Sequence, residues 1–526
     1  MKQLLAACLW MLPFAGVAQH KAQPFAEYIQ ADRLKQHLVA IAGDEMEGRD
    51  AGKRGERLAA AYMMQQFKLN GLTTPHTLNS YQQVFLLKYD TKETAELSLN
   101  NQRLNYPEDF IIPVTDNRNS VFQSAGLVFA GYGIQDAQYN DYKGLNVKGK
   151  TVMLVLDEPK NENGTYLLTG TKEPSAWGTF RALEKKLQVA AKQGAVGALI
   201  VSPTQKSFQS STVTNAERSR LYIMQNNAEK PLNYAVLSHA LVRKHFGTEG
   251  ETWLNLIAAN KPFTREHRKH YKQSVDFEYK KQTVNLPSAN IAGVIEGSDK
   301  KDEYVFVTAH YDHLGVRDGK IYNGADDDGS GTVAIMEIGA AFARAKAAGS
   351  GPRRTVVILA FTAEEKGLLG SRYFSEHPFF NLDQTSAALN IDMIGRIDTE
   401  RMKEDTLNYI YLVGHDKIST DLKPVSEEVN TRHTKLNFDY KFDHPDDPHR
   451  IYFRSDHYHF ARKGVPVLFF YDGMLKSDYH KPTDTWEKIN YTLYEKRARL
   501  VFHIAWELAN REEKLVRDLE IPTSTR

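Results

Sequence analysis

From Leu286-Pro287-Ser288 onward the chain alternates short apolar runs with helical stretches, and this alternation restricts the fold more than any other feature. Tyr304 to Thr308, Val356 to Phe361, Ala387 to Ile391 and Val465 to Tyr471 are the strand candidates. Thr332 to Ala347, opened by Gly329-Ser330-Gly331, has helical length and spacing, and Tyr494 to Asn510 reads as an amphipathic closing helix. Strands that alternate with helices build a sheet covered by helices on its faces. The expected class is therefore α/β, with a mixed, mostly parallel sheet flanked by helices.

Earlier parts of the chain read differently. Met1-Lys2-Gln3, an apolar Leu4 to Val17 and the small residues Gly16-Val17-Ala18 have the three-part layout of a signal peptide over residues 1–18. The apolar stretch is too short for a membrane span, so no stable span is expected and the product is placed outside the cytoplasm, in the periplasm or medium. Leu5-Ala6-Ala7-Cys8 resembles a lipoprotein cleavage box, but only seven residues precede the cysteine, too few for an ordinary leader. Cleavage after Ala18 removes Cys8, the only cysteine, which suits an oxidising compartment.

Ala31 to Leu72 reads as helix, polar break and helix. From Gln123 the texture turns to Gly-punctuated strands, with one helix-like stretch from Leu183 to Gln193. The expected organisation is a catalytic domain from residues 19–118 plus 285–515, a smaller β-rich domain inserted at 119–265, a return linker at 266–284 and a tail at 516–526.

The chemistry gathers at the ends of the strands. His310-Tyr311-Asp312 follows the first, Glu364-Glu365 the second, Asp392 the third, and Tyr479-His480 follows the fourth after a short loop. In open α/β sheets functional groups collect outside the carboxyl ends of the strands, so these residues are expected to meet. With Asp327 from the Asp326-Asp327-Asp328 run they supply two imidazoles and at least three carboxylates. That inventory fits two zinc ions rather than one, and the lack of cysteines for a sulfur site leaves His, Asp and Glu as the donors. Charge is balanced, 67 Lys+Arg against 65 Asp+Glu, which argues against a broad nucleic-acid-binding surface. A His-rich loop from His444 to His459 is interrupted by proline and reads as loop decoration.

The ordered set His310-x-Asp312, Gly324-Ala325-Asp326-Asp327-Asp328-Gly329-Ser330-Gly331, Glu364-Glu365-x-Gly367-Leu368-x-Gly370-Ser371, Asn390-x-Asp392-Met393 and Tyr479-His480-x-x-Thr483-Asp484 resembles the co-catalytic di-zinc aminopeptidases of the secreted bacterial leucyl-aminopeptidase type, peptidase family M28-like. Glu47-Gly48-Arg49 resembles that family's N-terminal segment. Gly131-Tyr132-Gly133 and Val147-Lys148-Gly149-Lys150 resemble the protease-associated domain inserted in its longer members.

The resemblance implies a zinc-exopeptidase fold and hydrolysis of N-terminal residues from peptides with a free N-terminus. It implies that Asp327 bridges two zinc ions, that His310 and Asp392 complete one site, and that Glu365 and His480 complete the other. Glu364 is then the general base, Asp312 the carboxylate that orients an imidazole, and Tyr479 a stabiliser of the tetrahedral oxyanion. His313 is not required as a ligand and stands as a substrate-facing or structural residue. The same resemblance leaves open a dipeptidase or glutamate-carboxypeptidase-like activity, for which Arg454 is a candidate carboxylate partner, as well as a non-catalytic receptor-like protein or a glutaminyl cyclase.

Overall fold

A computed structural model describes residues 22–179, 182–209, 217–223, 232–401 and 405–522. The expected signal peptide, with Cys8, lies outside them. The chain divides into two compact units: one takes the chain up to Leu86 together with Leu286 onward, and the other is Leu87–Asn285. Among the described residues no helix is long and apolar enough to cross a membrane.

The first unit begins with helices α1 (Ala31–Ile41) and α2 (Arg54–Leu69). Its sheet contains β1 (Val275–Ile295, from Leu286 on), β2 (Lys300–His310), β3 (Arg354–Phe361), β4 (Thr385–Ile391), β5 (Tyr409–Val413), β6 (Asn437–Asp439) and β7 (Val467–Tyr471), in the spatial order β6-β5-β7-β4-β2-β3-β1. Strand β2 runs parallel to β3 and β4, and β4 runs parallel to β7. Strands β1 and β5 are antiparallel to β3 and β7. The mixed, mostly parallel α/β sheet is the one expected. Strands β5 and β6 were not anticipated: the second has three residues, too few for a periodic signal.

Both faces of the sheet are covered, which explains why its central strands read as unbroken apolar runs. Val305, Val307, Ile358, Leu389 and Phe470 face one way, onto α3 (Gly331–Ala347), α1, α2 and α4 (Tyr491–Asn510). Their neighbours Phe306, Val357, Leu359 and Phe469 face the other way, onto Phe374, Phe379 and Phe460. This is the two-residue side-chain period of a strand. Helix α3 is buried nearly all round, with Val333, Ile335, Met336, Ile338 and Phe342 in the core, as expected of a helix without a polar face.

In the second unit a sheet runs in the order His270–Tyr271, Leu127–Phe129, Thr151–Val155, Gly197–Val201, Tyr234–Leu237, Phe110–Ile111, with parallel central pairs and antiparallel edges. Helices Ala182–Lys192 and His239–Ala258 accompany it, so the unit is α/β in character where its sequence suggested a β-rich domain. The unit boundary also differs from the expected one at residue 119. Residues 87–118 group with the second unit because Leu97, Leu99, Leu104, Phe110 and Ile112 are buried in its core with Phe129 and Leu199. The expected linker at 266–284 pairs instead, Tyr271 with Leu127 and Val275 to Tyr279 with Ser124 to Ser120.

Leu389 lies at the centre of β4 and is fully buried. Leu389→Ala is expected to cost roughly 2–5 kcal/mol, read in calorimetry as an earlier thermal transition of the first unit. An unchanged transition would contradict this packing.

Candidate metal centre

The register of the parallel strands sets the geometry. His310 on β2 pairs with Phe361 on β3, Thr308 with Asn390 on β4, and Ile391 with Phe470 on β7. The carboxyl ends of four strands therefore finish at one edge of the sheet. His310 is the last residue of β2, Glu364 and Glu365 follow β3 by a short turn, and Asp392 immediately follows β4. Asp327 reaches the same edge from the turn before α3, and His480 from the loop after β7.

Asp327 stands between two groups of donors. On one side its Oδ1 is 3.3 Å from His310 Nε2, which is 3.6 Å from Asp392 Oδ1 and 3.9 Å from Glu364 Oε2. On the other side its Oδ2 is 3.2 Å from His480 Nε2, which is 3.2 Å from Glu365 Oε2. All five expected ligands and the expected base are brought together. A sixth donor, His313, was not expected: its Nδ1 lies 2.8 Å from Glu365 Oε1 and 3.9 Å from Asp327 Oδ2. Its only sequence signal is its place three residues after His310, which a buried structural histidine would share.

Two of the three consecutive aspartates support the third. Asp328 accepts hydrogen bonds from the backbone N–H groups of His310, Gly331 and Met393 at 2.8–3.1 Å, tying β2, α3 and the turn after β4 together. A Cβ at Gly331 would come within 2.4 Å of the Asp328 carboxylate, so the close approach requires glycine. Asp326 accepts from Gly395 N at 2.8 Å, and Asp484 accepts from the N–H groups of Asp326 and Asp327 at 3.0–3.1 Å. These N–H donors satisfy buried carboxylates without cancelling their charge.

Arg49 is fully buried, and its guanidinium donates only to carbonyls: Ile41 at 2.9 Å, Tyr311 at 2.7 Å, Asn323 at 2.6 Å and Gly324 at 2.8 Å. It joins the segment after α1 to the two loops that carry His310, His313 and Asp327.

Asp312 is placed where the sequence suggested, but its carboxylate works differently. The Asp312 backbone carbonyl, 3.1 Å away, receives the His310 Nδ1 proton, while the carboxylate lies 3.7 Å from that nitrogen. A carbonyl can only accept, so the pairing puts the proton on Nδ1 and frees Nε2 to face Asp327. The carboxylate instead accepts from the backbone N–H of Glu364 at 3.0 Å and fixes the turn that presents the glutamate pair.

Whether these residues suit metal ions can be read from their unmet bonding. His310 Nε2, Asp327 Oδ2, Glu365 Oε1 and both ring nitrogens of His313 are buried without a hydrogen-bond partner, whereas buried polar atoms are almost always paired. Zinc bonds of about 2.0–2.2 Å at tetrahedral angles separate donor atoms by about 3.4 Å, close to the 3.2–3.6 Å spacings found here. The donor set fits cations at two adjacent positions. The local field agrees: burial works against charge on His480, yet Asp327 and Glu365 raise it to about 10. Burial and the Asp327 charge act to raise Glu365, but His313 and His480 bring it down to about 2. Burial, with Glu365 and Asp392 close by, pushes Glu364 well above the ordinary carboxylate range.

A cleft opens over the centre, lined by Asp327, Glu364, Asp392, Tyr479 and His480 together with Met393, Ile451, Phe469, Tyr471 and Leu475. Tyr479 stacks on His480 with ring centroids 3.9 Å apart, and its hydroxyl accepts from Arg454 Nη2 at 3.1 Å. His457 and His444 of the His-rich loop stay apart from the donors, His457 buried with Nε2 2.8 Å from the Tyr452 carbonyl and His444 exposed, while Ile451 and Arg454 of the same loop line the cleft.

Arg49→Met leaves four carbonyls without their donor and is expected to destabilise the first unit by on the order of 3–5 kcal/mol. Thermal denaturation of the metal-free protein checks this; a change below about 1 kcal/mol would mean that the loops are held by other contacts.

Comparison with known proteins bears on the same stretch of chain. Residues 290–505 match peptidase family M28. A probable leucine aminopeptidase of Trichophyton verrucosum is 30% identical over 226 residues, 42% of this chain and 57% of that protein. Aminopeptidase YwaD of Bacillus subtilis is 29% identical over 242 residues, 44% of this chain and 48% of that protein. The chain thus spans about half the length of these curated relatives. The solved structure of an aminopeptidase from Aneurinibacillus sp. strain AM-1 superposes with a TM-score of 0.52 at 17% identity, covering 96% of this chain and all of that one, a likeness of fold. Every candidate metal-centre residue falls inside the family match, and the chain therefore carries, over residues 290–505, a domain of peptidase family M28.

Proposed function

We propose that the protein is an exported exopeptidase that removes N-terminal residues from peptides at a centre of two zinc ions, with Glu364 as general base. The observation that carries this reading is Asp327, whose two oxygens face separate groups of donors at 3.3 Å and 3.2 Å. His310 and Asp392 would complete one position, and Glu365 and His480 the other. The M28 match and the relatives named aminopeptidase support the peptidase class. The chemistry that zinc supplies when bound is Lewis acidity, which lowers the pKa of water and polarises a carbonyl.

The side chains account for the remaining steps. Glu364, in the group with His310 and Asp392 and raised by burial, accepts a proton from the attacking water and returns it to the leaving amine. Asp312 holds the Glu364 backbone while its own carbonyl fixes the His310 tautomer. The Tyr479 hydroxyl, held by Arg454, donates to the oxygen that gains charge in the tetrahedral intermediate. Asp327, Glu364 and Asp392 face the cleft and attract the substrate's free ammonium group.

The exposed guanidinium of Arg454 beside Tyr479 favours one further reading, in which a free carboxylate of a very short substrate is held there and cleavage is dipeptidase- or carboxypeptidase-like. A panel of aminoacyl-anilides, dipeptides and longer peptides, each with and without N-acetylation, separates the two. Aminopeptidase action predicts cleavage of the free-amine substrates alone, and hydrolysis of the blocked peptides would refute it.

Glu364→Gln keeps the shape and removes the base. The variant is expected to retain its zinc, measured by mass spectrometry, and to lose turnover by about 10²–10⁴-fold; near-normal kcat would sink the assigned role. Export is tested separately by N-terminal sequencing of the protein from the medium or periplasm, where a start at Gln19 is expected. We assign the second unit to the protease-associated class on its Gly131-Tyr132-Gly133 and Val147 to Lys150 motifs.

A further inference from the structure

His313 is the one imidazole of the centre that its sequence pattern leaves without a task. Its side chain is fully buried, and neither ring nitrogen has a hydrogen-bond partner. A buried polar atom left without a partner is destabilising, so a ring with two of them needs an explanation. Nδ1 lies 2.8 Å from Glu365 Oε1, yet neither atom has a hydrogen-bond partner. The same nitrogen is 3.9 Å from Asp327 Oδ2, and one donor atom each from His313, Asp327 and Glu365 fall within 4.8 Å of one another.

The ring has little freedom to turn away. The backbone N–H of His313 donates to the Arg49 carbonyl at 3.2 Å, and a Cβ at Gly324 would stand only 2.4 Å from the imidazole, so the ring lies flush on that glycine. His480 flanks the other side, with ring centroids 5.9 Å apart.

We infer that His313, through Nδ1, is a fourth protein donor at the position shared by Asp327, Glu365 and His480; this rests on the two-cation reading above. The two positions are then unequal. The one at His480 is closed by four protein donors, the arrangement of a structural zinc site, whereas the one at His310, Asp392 and Asp327 has three and stays open to water and substrate, the arrangement of a catalytic one. Glu364 stands on the open side, 3.9 Å from His310 Nε2, where a base is of use. The position at His480 serves to hold Asp327 and Glu365 in place.

Nuclear magnetic resonance of the Co²⁺-loaded wild-type protein tests the assignment directly. Each metal-bound imidazole retains one solvent-exchangeable N–H, and the bound Co²⁺ shifts its resonance far from the ordinary range. Three such resonances are expected, from His310, His313 and His480; two would overturn the assignment. In His313→Asn one of the three should vanish, and the affinity for the second Zn²⁺, measured by equilibrium dialysis and mass spectrometry, should fall by about 100-fold or more. A weaker second Zn²⁺ with the number of shifted resonances unchanged from wild type would make His313 an outer hydrogen-bond partner and also overturn the assignment. Two Zn²⁺ per wild-type chain with two shifted resonances refutes the assignment alone, whereas one Zn²⁺ per chain at saturation refutes the two-cation reading and the assignment with it. The wild-type spectrum decides the question even if the variant fails to fold.

Discussion

Carboxylates crowd the end of the sheet at a density that only compensation can hold together. Asp312, Asp326, Asp327, Asp328, Glu365, Asp472 and Asp484 are all buried or nearly so within one small region. An ionised carboxylate moved out of water is costly unless it is paired or hydrogen-bonded. Here the compensation is divided in two. Asp326, Asp328 and Asp484 take backbone N–H groups and so become struts between loops. Asp327 and Glu365 face imidazoles and keep oxygen atoms unpaired. The struts give the loops their shape, and the unpaired atoms give the site its appetite for cations.

Much of this division of labour was hidden from the sequence. Strand ends were legible, because a run such as Ala387 to Ile391 announces burial and the Asp392 that follows it is out of place in an apolar setting. Parallel pairing did the rest, carrying His310, Glu365, Asp392 and His480 to one edge from positions up to 170 residues apart. The Asp326-Asp327-Asp328 run could not be parsed in the same way. Three identical side chains have three destinations, and only the backbone path of the turn decides which one faces the centre. Asp312 shows the same limit: its position was legible, but the choice between carbonyl and carboxylate as the His310 partner depends on a difference of about half an ångström between 3.1 Å and 3.7 Å.

Domain boundaries were less legible than chemistry. Residues 87–118 have no marked change of composition from what precedes them, and their membership is decided by which core buries Leu97, Leu99 and Phe110. The short strands Tyr409–Val413 and Asn437–Asp439 carry no candidate site residue. They widen the sheet beyond β7 and bury Tyr409 and Tyr411 against Arg401, a contact that depends on partners distant in sequence.

Arg49 carries a consequence for how the domain can be taken apart. The matched family stretch starts at residue 290, and it contains every candidate cation donor. The fixed positive charge that spans the Tyr311, Asn323 and Gly324 carbonyls comes from about 240 residues earlier in the chain. A fragment cut at the edge of the homologous region would hold the complete donor list and still lack the cross-brace between its two loops. A minimal version that keeps this brace would join the segment carrying α1, Arg49 and α2 to the sheet by a new linker in place of the second unit.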